Sequence, residues 1–202
     1  MYQIMKGFFM KNFFGHLKTI SHHKKLVRKT CFKAGMYKQG LLHDLSKYSP
    51  IEFLAGVKYY QNGKKSPINK EKEINGISYG WLHHKGRNRH HFEYWIDYSS
   101  IPNTGLIGMK MQKKYVAEMV IDRISASKNY NKDNYTDSFP VEYWEKGKKM
   151  YIINKESEML TDYLFKILKD KGEDELCKYI KNILLKDKNG DYHFENGKLF
   201  LE

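Results

Sequence analysis

Apolar side chains recur at helical spacing along most of the chain. The first helical segment, about 3–34, carries Phe9, Phe13, Leu17, Ile20, Leu26 and Val27 at such spacings. Further helices are predicted over about 38–47, 69–77 and 109–129, and from Ser49 and Ser138 onward. Residues 156–186 form an amphipathic helical pair that is interrupted at Gly172. The pattern therefore predicts a protein built almost entirely of helices.

The C-terminal residues follow a different pattern from the rest of the chain. The two short runs 191–194 and 198–201 are separated by Glu195-Asn196-Gly197. An Asn-Gly pair favours the two-residue turn that joins antiparallel strands. Neither an internal repeat nor a dividing linker is evident. The expected fold class is all-α, with a small C-terminal β-hairpin, in a single domain over residues 1–202.

Charge, cysteine content and the length of apolar segments indicate which partners and which cellular compartment to expect. The chain has 202 residues and a formal net charge of +13, which attracts phosphorylated small molecules and nucleic acids alike. Its two cysteines, Cys31 and Cys177, show no secretory or metal-binding spacing, so a reducing cytoplasm is expected. No segment has the roughly 18 apolar residues of a membrane span, so no membrane partner is expected.

The segment Gly40-Leu41-Leu42-His43-Asp44-Leu45-Ser46-Lys47 places a histidine next to an aspartate. Both side-chain types ligate divalent metals, and an aspartate among apolar residues needs a cation or a hydrogen-bond partner. Asp122 has a similar apolar setting, with Arg123 or Lys128 as its alternative ion-pair partner. His23, which precedes residues that pack the first helix, is preferred over His22 as a further ligand.

A second cluster, over residues 81–95, holds four of the nine histidines of the chain. Gly86 and Asn88 favour a turn that brings both histidine pairs to one site. One or two further ligands are expected from it, and His84 and His90 are preferred within the two pairs. The competing use of this block is substrate binding, in which Trp81 or Trp95 stacks on a base and a phosphate is held by Lys85, Arg87 and Arg89.

The order of these elements resembles that of the HD-domain superfamily of metal-dependent phosphohydrolases. In that superfamily a histidine is followed by a His-Asp pair, optional histidines and a final aspartate. The resemblance implies an HD-domain-like helical bundle, with a metal-site core over about 16–130 and a helical extension and hairpin over about 138–202. It implies the metal ligands His23, His43, Asp44, His84, His90 and Asp122, with Asp44 as the natural bridge between two ions.

The mixed imidazole and carboxylate donors suit one or two ions of Mn, Fe, Co, Ni or Zn. The expected function is hydrolysis of a nucleotide or nucleic-acid phosphate ester by metal-activated water. Asp44 would orient the water, and Lys47, one helical turn away, would hold the phosphate or the leaving-group oxygen. Lys47 could equally be an exposed lysine that favours a helix C-terminus.

Two other functions remain open at this stage. The same ligand order occurs in HD-fold di-iron oxygenases, and the metal could instead be structural in a nucleic-acid-binding module. Ser49-Pro50-Ile51-Glu52 has the spacing of a capping box with proline at the first helical position. Glu52 is therefore expected to cap a helix rather than to support the chemistry.

Overall fold

A long N-terminal helix, α1, spans Tyr2–Lys33 in a computed structural model that describes residues 2–187 and 190–202. Met1, Lys188 and Asn189, which the single-domain prediction includes, lie outside the described residues. The next helices are short: α2 (Tyr37–Leu42), α3 (Pro50–Lys58), α4 (Pro67–Asn75) and α5 (Tyr79–Lys85). Three more follow, namely α6 (Lys113–Asn131), α7 (Ser138–Gly147) and α8 (Lys155–Tyr179). The all-α fold predicted from the sequence is confirmed.

Helix α6 is the central element, because it packs against α1, α7 and α8. Six consecutive residues of α6, Val116 to Ile121, are buried, so this helix has no wholly solvent-exposed face. Its apolar side chains join those of α1, α7 and α8 in one core, which includes Val27, Cys31, Val120, Ile124, Trp144, Leu160, Leu164 and Leu168. A polar side chain on such a helix needs a partner inside the protein. Glu118 and Asp122 are two residues of this kind.

The predicted interruption of the last helical stretch at Gly172 is confirmed. Gly172 lies within α8 with φ 82° and ψ 173°, which is far from helical geometry and is open to glycine at little cost. The chain then resumes its helical course and finishes in a π-helical turn over Ile180–Leu184. Leu160, Leu164 and Leu168 before the break and Leu176 after it are all buried.

The continuous helix predicted over 38–47 is wrong. Helix α2 ends at Leu42, and a 3₁₀ turn starts only at Leu45 and runs to Tyr48. Between them Asp44 has φ 53° and ψ 29°, the left-handed conformation that non-glycine residues rarely adopt. His43 and Asp44 therefore form a corner between two short helices, and their side chains are not restricted to the faces of one helix.

Two small antiparallel hairpins complete the described structure. Strands β3 (Tyr192–Glu195) and β4 (Lys198–Leu201) pair as predicted, and Asn196 and Gly197 both have positive φ in the turn. Strands β1 (Ile96–Tyr98) and β2 (Leu106–Gly108) form a hairpin that the sequence pattern did not reveal, since each has three residues and is largely exposed. Within the described ranges no helix combines the length and apolar character required to cross a membrane.

Candidate metal centre

The corner after α2 places two polar side chains in the interior. His43 is 1% exposed and Asp44 is 2% exposed. The two carboxylate oxygens of Asp44 face different groups of donor atoms, Oδ2 toward α1 and α6 and Oδ1 toward the segment after α5. Asp44 thus lies between two clusters, which we name position A and position B.

Position A consists of His23 Nε2, His43 Nε2, Asp44 Oδ2 and Asp122 Oδ1. His23 Nε2 lies 3.0 Å from Asp122 Oδ1 and 3.6 Å from Asp44 Oδ2. His43 Nε2 lies 3.2 Å from Asp44 Oδ2 and 3.3 Å from Asp122 Oδ1. Helices α1 and α6 and the corner each contribute, so position A is assembled by the packing of elements far apart in sequence.

Position B consists of Asp44 Oδ1 and the Nε2 atoms of three histidines, His84, His90 and His91. His84 and His90 Nε2 lie 3.3 and 3.4 Å from Asp44 Oδ1. His91 Nε2 lies 2.9 Å from His84 Nε2. Helix α5 ends at Lys85, and the following turn returns the chain so that His84 of the first pair and both histidines of the second reach position B. Sequence reasoning expected one or two ligands here and did not select His91.

These separations fit donor atoms that share an ion. Two ligands at about 2.0–2.2 Å from one metal, at tetrahedral or octahedral angles, lie about 2.8–3.6 Å apart. Five of the buried atoms make no hydrogen bond within the described residues, namely His23 Nε2, His43 Nε2, His90 Nε2, Asp44 Oδ1 and Asp44 Oδ2, and of these Asp44 Oδ2 also forms an ion pair with Lys47. Buried polar atoms without partners are costly, and cations at A and B would satisfy them.

Two buried glutamates contact the Nδ1 atoms of ligand histidines, on the side of each ring that faces away from the centre. Glu118 Oε1 lies 3.0 Å from His43 Nδ1 and 3.3 Å from His90 Nδ1, so this one carboxylate supports a ligand of each position. When a carboxylate accepts a hydrogen bond from Nδ1–H, the proton stays on Nδ1 and the Nε2 lone pair is free for a metal. Glu118 lies four residues before Asp122 in α6, and this spacing, which places both side chains on one helix face, is a signal that could have identified it.

Glu52 contacts the Nδ1 atom of His84, as Glu118 contacts that of His43. Its oxygens lie 2.8 Å from His84 Nδ1 and 2.6 Å from His83 Nδ1. The expected capping role is wrong, because no side-chain cap forms at Ser49 at the start of α3. The physical reason is that the interior offers Glu52 imidazole donors, whose hydrogen bonds offset its burial.

The electrostatic surroundings keep the carboxylates of the centre ionised. Burial alone would raise the pKa of Asp44, but His43, Lys47 and His84 hold that pKa well below its ordinary value. The close contacts of Asp122 with His23 and His43 likewise outweigh burial and lower the pKa of Asp122. Burial, with the charges of His90 and His84, depresses the pKa of His91. Ionised carboxylates beside a neutral imidazole are the donor states that divalent transition metals require. Neighbouring carboxylates outweigh burial and raise the pKa of His43 and of His90, so a metal that binds these two rings would displace their protons.

A cavity of about 490 Å³ opens over the centre, and His23, His84, His91 and Asp122 line its floor. Lys47 also lines it, and Lys47 Nζ lies 2.6 Å from Asp44 Oδ2. Burial would lower the pKa of Lys47, but Asp44 and Asp122 raise it, so the side chain is an ammonium. The other cationic residues of the lining are Lys64, Lys65, Lys72 and Arg123. These four were not anticipated from the sequence.

The structure does not bring Lys85, Arg87 or Arg89 to the cavity. Arg87 donates to the carbonyl of His83, and Arg89 lies over the rings of Tyr94 and Tyr115. The turn that carries His90 and His91 inward leaves Arg87 and Arg89 on the exposed side. The proposed ion pairs of Asp122 also do not form, since Asp122 faces His23 and Lys128 pairs with Glu173.

The remaining histidines lie outside positions A and B. His22 Nδ1 lies 2.7 Å from Asn129 Oδ1, whereas His23 reaches the centre. Burial, with a contribution from Lys47, lowers the pKa of His16 to about 4. His193 stacks on Phe200 in the C-terminal hairpin.

Comparison with known proteins gives a match to a protein family. A family model matches residues 12–171, and its description is a family of unknown function, DUF5662. This range contains every residue of positions A and B. No curated protein matches the chain, and no solved structure matches it.

Proposed function

The chain belongs to the DUF5662 family, and for this member we propose a metal-dependent phosphohydrolase of the HD-domain type. Its substrate would be a nucleotide or nucleic-acid phosphate ester. The order of the ligands in sequence and their all-α setting support this assignment. The family description itself names no activity, so the proposal depends on the chemistry of the side chains.

One observation carries the proposal: donor atoms of six side chains surround Asp44 at the floor of a cation-lined cavity. The residues that would hold the ions are His23, His43, Asp44 and Asp122 at position A, and Asp44, His84, His90 and His91 at position B. Outside these ligands, the charged groups of the lining are five cations and the single carboxylate of Glu93. Such a wall attracts the negative charge of a phosphate ester.

When bound, divalent ions would supply Lewis-acid polarisation of a phosphoryl oxygen and of a water molecule. The chain's own residues orient the reactants around them. Asp44 lies buried beneath the floor of the cavity, where its carboxylate would orient a water molecule bound at the centre. Glu118 and Glu52 fix the rings of His43, His90 and His84, so the floor is preorganised before substrate enters.

Lys47 is the group best placed to neutralise charge that develops on the phosphate. Its ammonium already contacts Asp44, is only 25% exposed and lines the same cavity. A positive charge fixed in a partly dry site stabilises a phosphoryl-transfer transition state more effectively than one in water. Lys47→Met should therefore lower kcat more than it raises KM.

The decisive experiment measures metal content by elemental mass spectrometry after reconstitution with Mn, Fe or Zn. We expect near two equivalents in the wild type and almost none in Asp44→Ala, because Asp44 serves both positions. His193→Ala is the matched control, since it removes a histidine remote from the centre and should retain both ions. Hydrolysis of bis(p-nitrophenyl) phosphate by the loaded proteins should follow the metal content.

Two outcomes would replace the proposal. Iron bound under air, with a charge-transfer absorption band and no hydrolysis, would favour the oxygenase. Salt-sensitive DNA or RNA binding that survives in Asp44→Ala, with no hydrolysis by the wild type after reconstitution, would favour the nucleic-acid-binding module.

A further inference from the structure

The cavity has a cationic residue, Arg123, that the proposed hydrolysis at the metal centre does not use. Arg123 follows Asp122 in α6 and lines the cavity wall. Its guanidinium carbon lies 5.0 Å from the ring centre of Trp144 and 5.8 Å from that of Tyr151. Trp144 is fully buried, and Phe92 stacks on Tyr151 at 4.5 Å. An aromatic layer therefore holds the guanidinium in a fixed place.

Arg123 has no anionic partner among the described residues. Its Nε atom is buried without a hydrogen bond. The carboxylates nearby are engaged elsewhere: Asp122 faces His23 and His43, and Asp162 binds both Trp144 Nε1 and Lys148. A guanidinium presents several donors in a rigid fork that matches phosphate and carboxylate groups. The Arg123 side chain is half-buried in the cavity wall with its Nε donor buried and unpaired, so an anion that enters the cavity would give the guanidinium the partner it lacks.

Glu93 shares the cavity wall with Arg123 but does not occupy its donors. The charge of Arg123 influences Glu93, yet the two form no ion pair within the described structure, and Glu93 Oε2 is itself buried without a hydrogen bond. The attraction helps to hold the cation in the wall. It leaves the N–H groups of Arg123 free for a ligand.

We propose that Arg123 is an anion subsite, which binds a second negatively charged group of the substrate while the scissile phosphate lies at the metal centre. The simplest second group is another phosphate. This inference rests on the proposed function, because the first phosphate is placed at positions A and B. It adds that the preferred substrates carry two anionic groups, and that Arg123 rather than Lys85, Arg87 or Arg89 selects them.

The test compares nucleotides that differ by one phosphate. Calorimetric titration of the metal-loaded protein at 4 °C would use adenosine 5′-monophosphate, ADP and adenosine 3′,5′-bisphosphate, with the nucleotides checked for integrity afterwards. In the wild type, at least one nucleotide with two phosphates should bind roughly 10- to 100-fold more tightly than the monophosphate. Arg123→Gln should abolish this difference and leave the affinity for the monophosphate nearly unchanged. Arg123→Lys, which keeps the charge but loses the planar fork, should retain part of it.

Arg89→Gln is the matched control. Arg89 also lies over two aromatic rings, Tyr94 and Tyr115, but it does not line the cavity. Its variant should keep the preference, and an equal loss in Arg89→Gln would attribute the effect to general charge and overturn the proposal. Equal affinities for all nucleotides in the wild type, or a preference that persists in a folded Arg123→Gln, would also overturn it.

The two proposals fail in different ways. If the metal-loaded wild type binds adenosine 5′-monophosphate but gains nothing from a second phosphate, the subsite is wrong and the hydrolase proposal stands. If it binds none of the three nucleotides, the subsite proposal is overturned, and metal content with hydrolysis of bis(p-nitrophenyl) phosphate decides the hydrolase proposal separately. Circular dichroism and thermal melting of each variant would show whether the loss of the contact with Trp144 has disturbed the fold.

Discussion

Positions A and B share Asp44 but are built in different ways. Position A takes its other ligands from α1, the corner and α6, and two of its four donors are carboxylates. Position B takes three imidazoles from one short stretch, residues 84–91, and its only carboxylate is the shared Asp44. Carboxylates neutralise a divalent cation, whereas imidazoles do not. We therefore expect position A to bind its ion more tightly than position B.

Asp122→Ala should have the largest effect that separates the two positions. It removes a charged donor from position A and leaves His23 without its closest carboxylate oxygen. We expect the ion at A to be lost and kcat/KM for bis(p-nitrophenyl) phosphate to fall by about 100-fold or more. Elemental analysis should then give about one equivalent. Two retained equivalents would contradict the assignment of Asp122.

His91→Ala should empty position B alone. The pKa of His91 is depressed, so its neutral ring is available as a ligand without the prior loss of a proton. We expect one ion to remain, with its affinity unchanged, and a smaller loss of kcat/KM than in Asp122→Ala. Calorimetric titration of the metal-free protein with Zn²⁺ would check this, because the weaker of two binding steps should vanish. Loss of the tighter step would reverse our ranking.

Glu118→Gln should weaken both positions together. Glu118 supports His43 at A and His90 at B, and substitution of such supporting carboxylates typically lowers metal affinity about 10- to 100-fold. Both binding steps in the same titration should shift. A shift of only one step would show that the two rings do not depend on the same carboxylate.

Glu52→Gln should weaken position B only, by roughly tenfold. Glu52 contacts His84 of position B, and its second partner, His83, belongs to neither cluster. The pair Glu118→Gln and Glu52→Gln is thus a matched test with the same chemical change in each. Equal effects of Glu52→Gln on both steps would indicate a loss of packing rather than of ligand support.

The comparison also shows what the sequence could predict. Amphipathic periodicity located most of the helices, and the Asn-Gly pair located the C-terminal hairpin. The left-handed corner at Asp44 could not be predicted, because no glycine marks it and its contacts are with residues distant in sequence. The exposed β1–β2 hairpin carries too short an alternating pattern to stand out beside the histidine block.

In the candidate site too, the features with a local sequence signal were predicted, and those that depend on contacts distant in sequence were not. The six expected ligands lie together in positions A and B, since an aspartate or a histidine in an apolar segment is a local signal. The choice between His90 and His91 was not available from spacing, because a turn can direct either ring, or both, inward. The cavity wall depends on the packing of α4, α6 and the segment after α7, so Arg123 and Lys72 were missed.

If positions A and B hold ions as proposed, the conformation of Asp44 would link metal supply to the lifetime of the protein. A non-glycine residue in the left-handed region costs about 1 kcal/mol or more. Without ions, the corner combines this strain with several unpaired buried atoms, and local opening is easiest where such costs concentrate. Bound ions would stabilise the closed corner by mass action. A cell short of metal would then lose this protein to proteolysis, so that its abundance would report on metal availability.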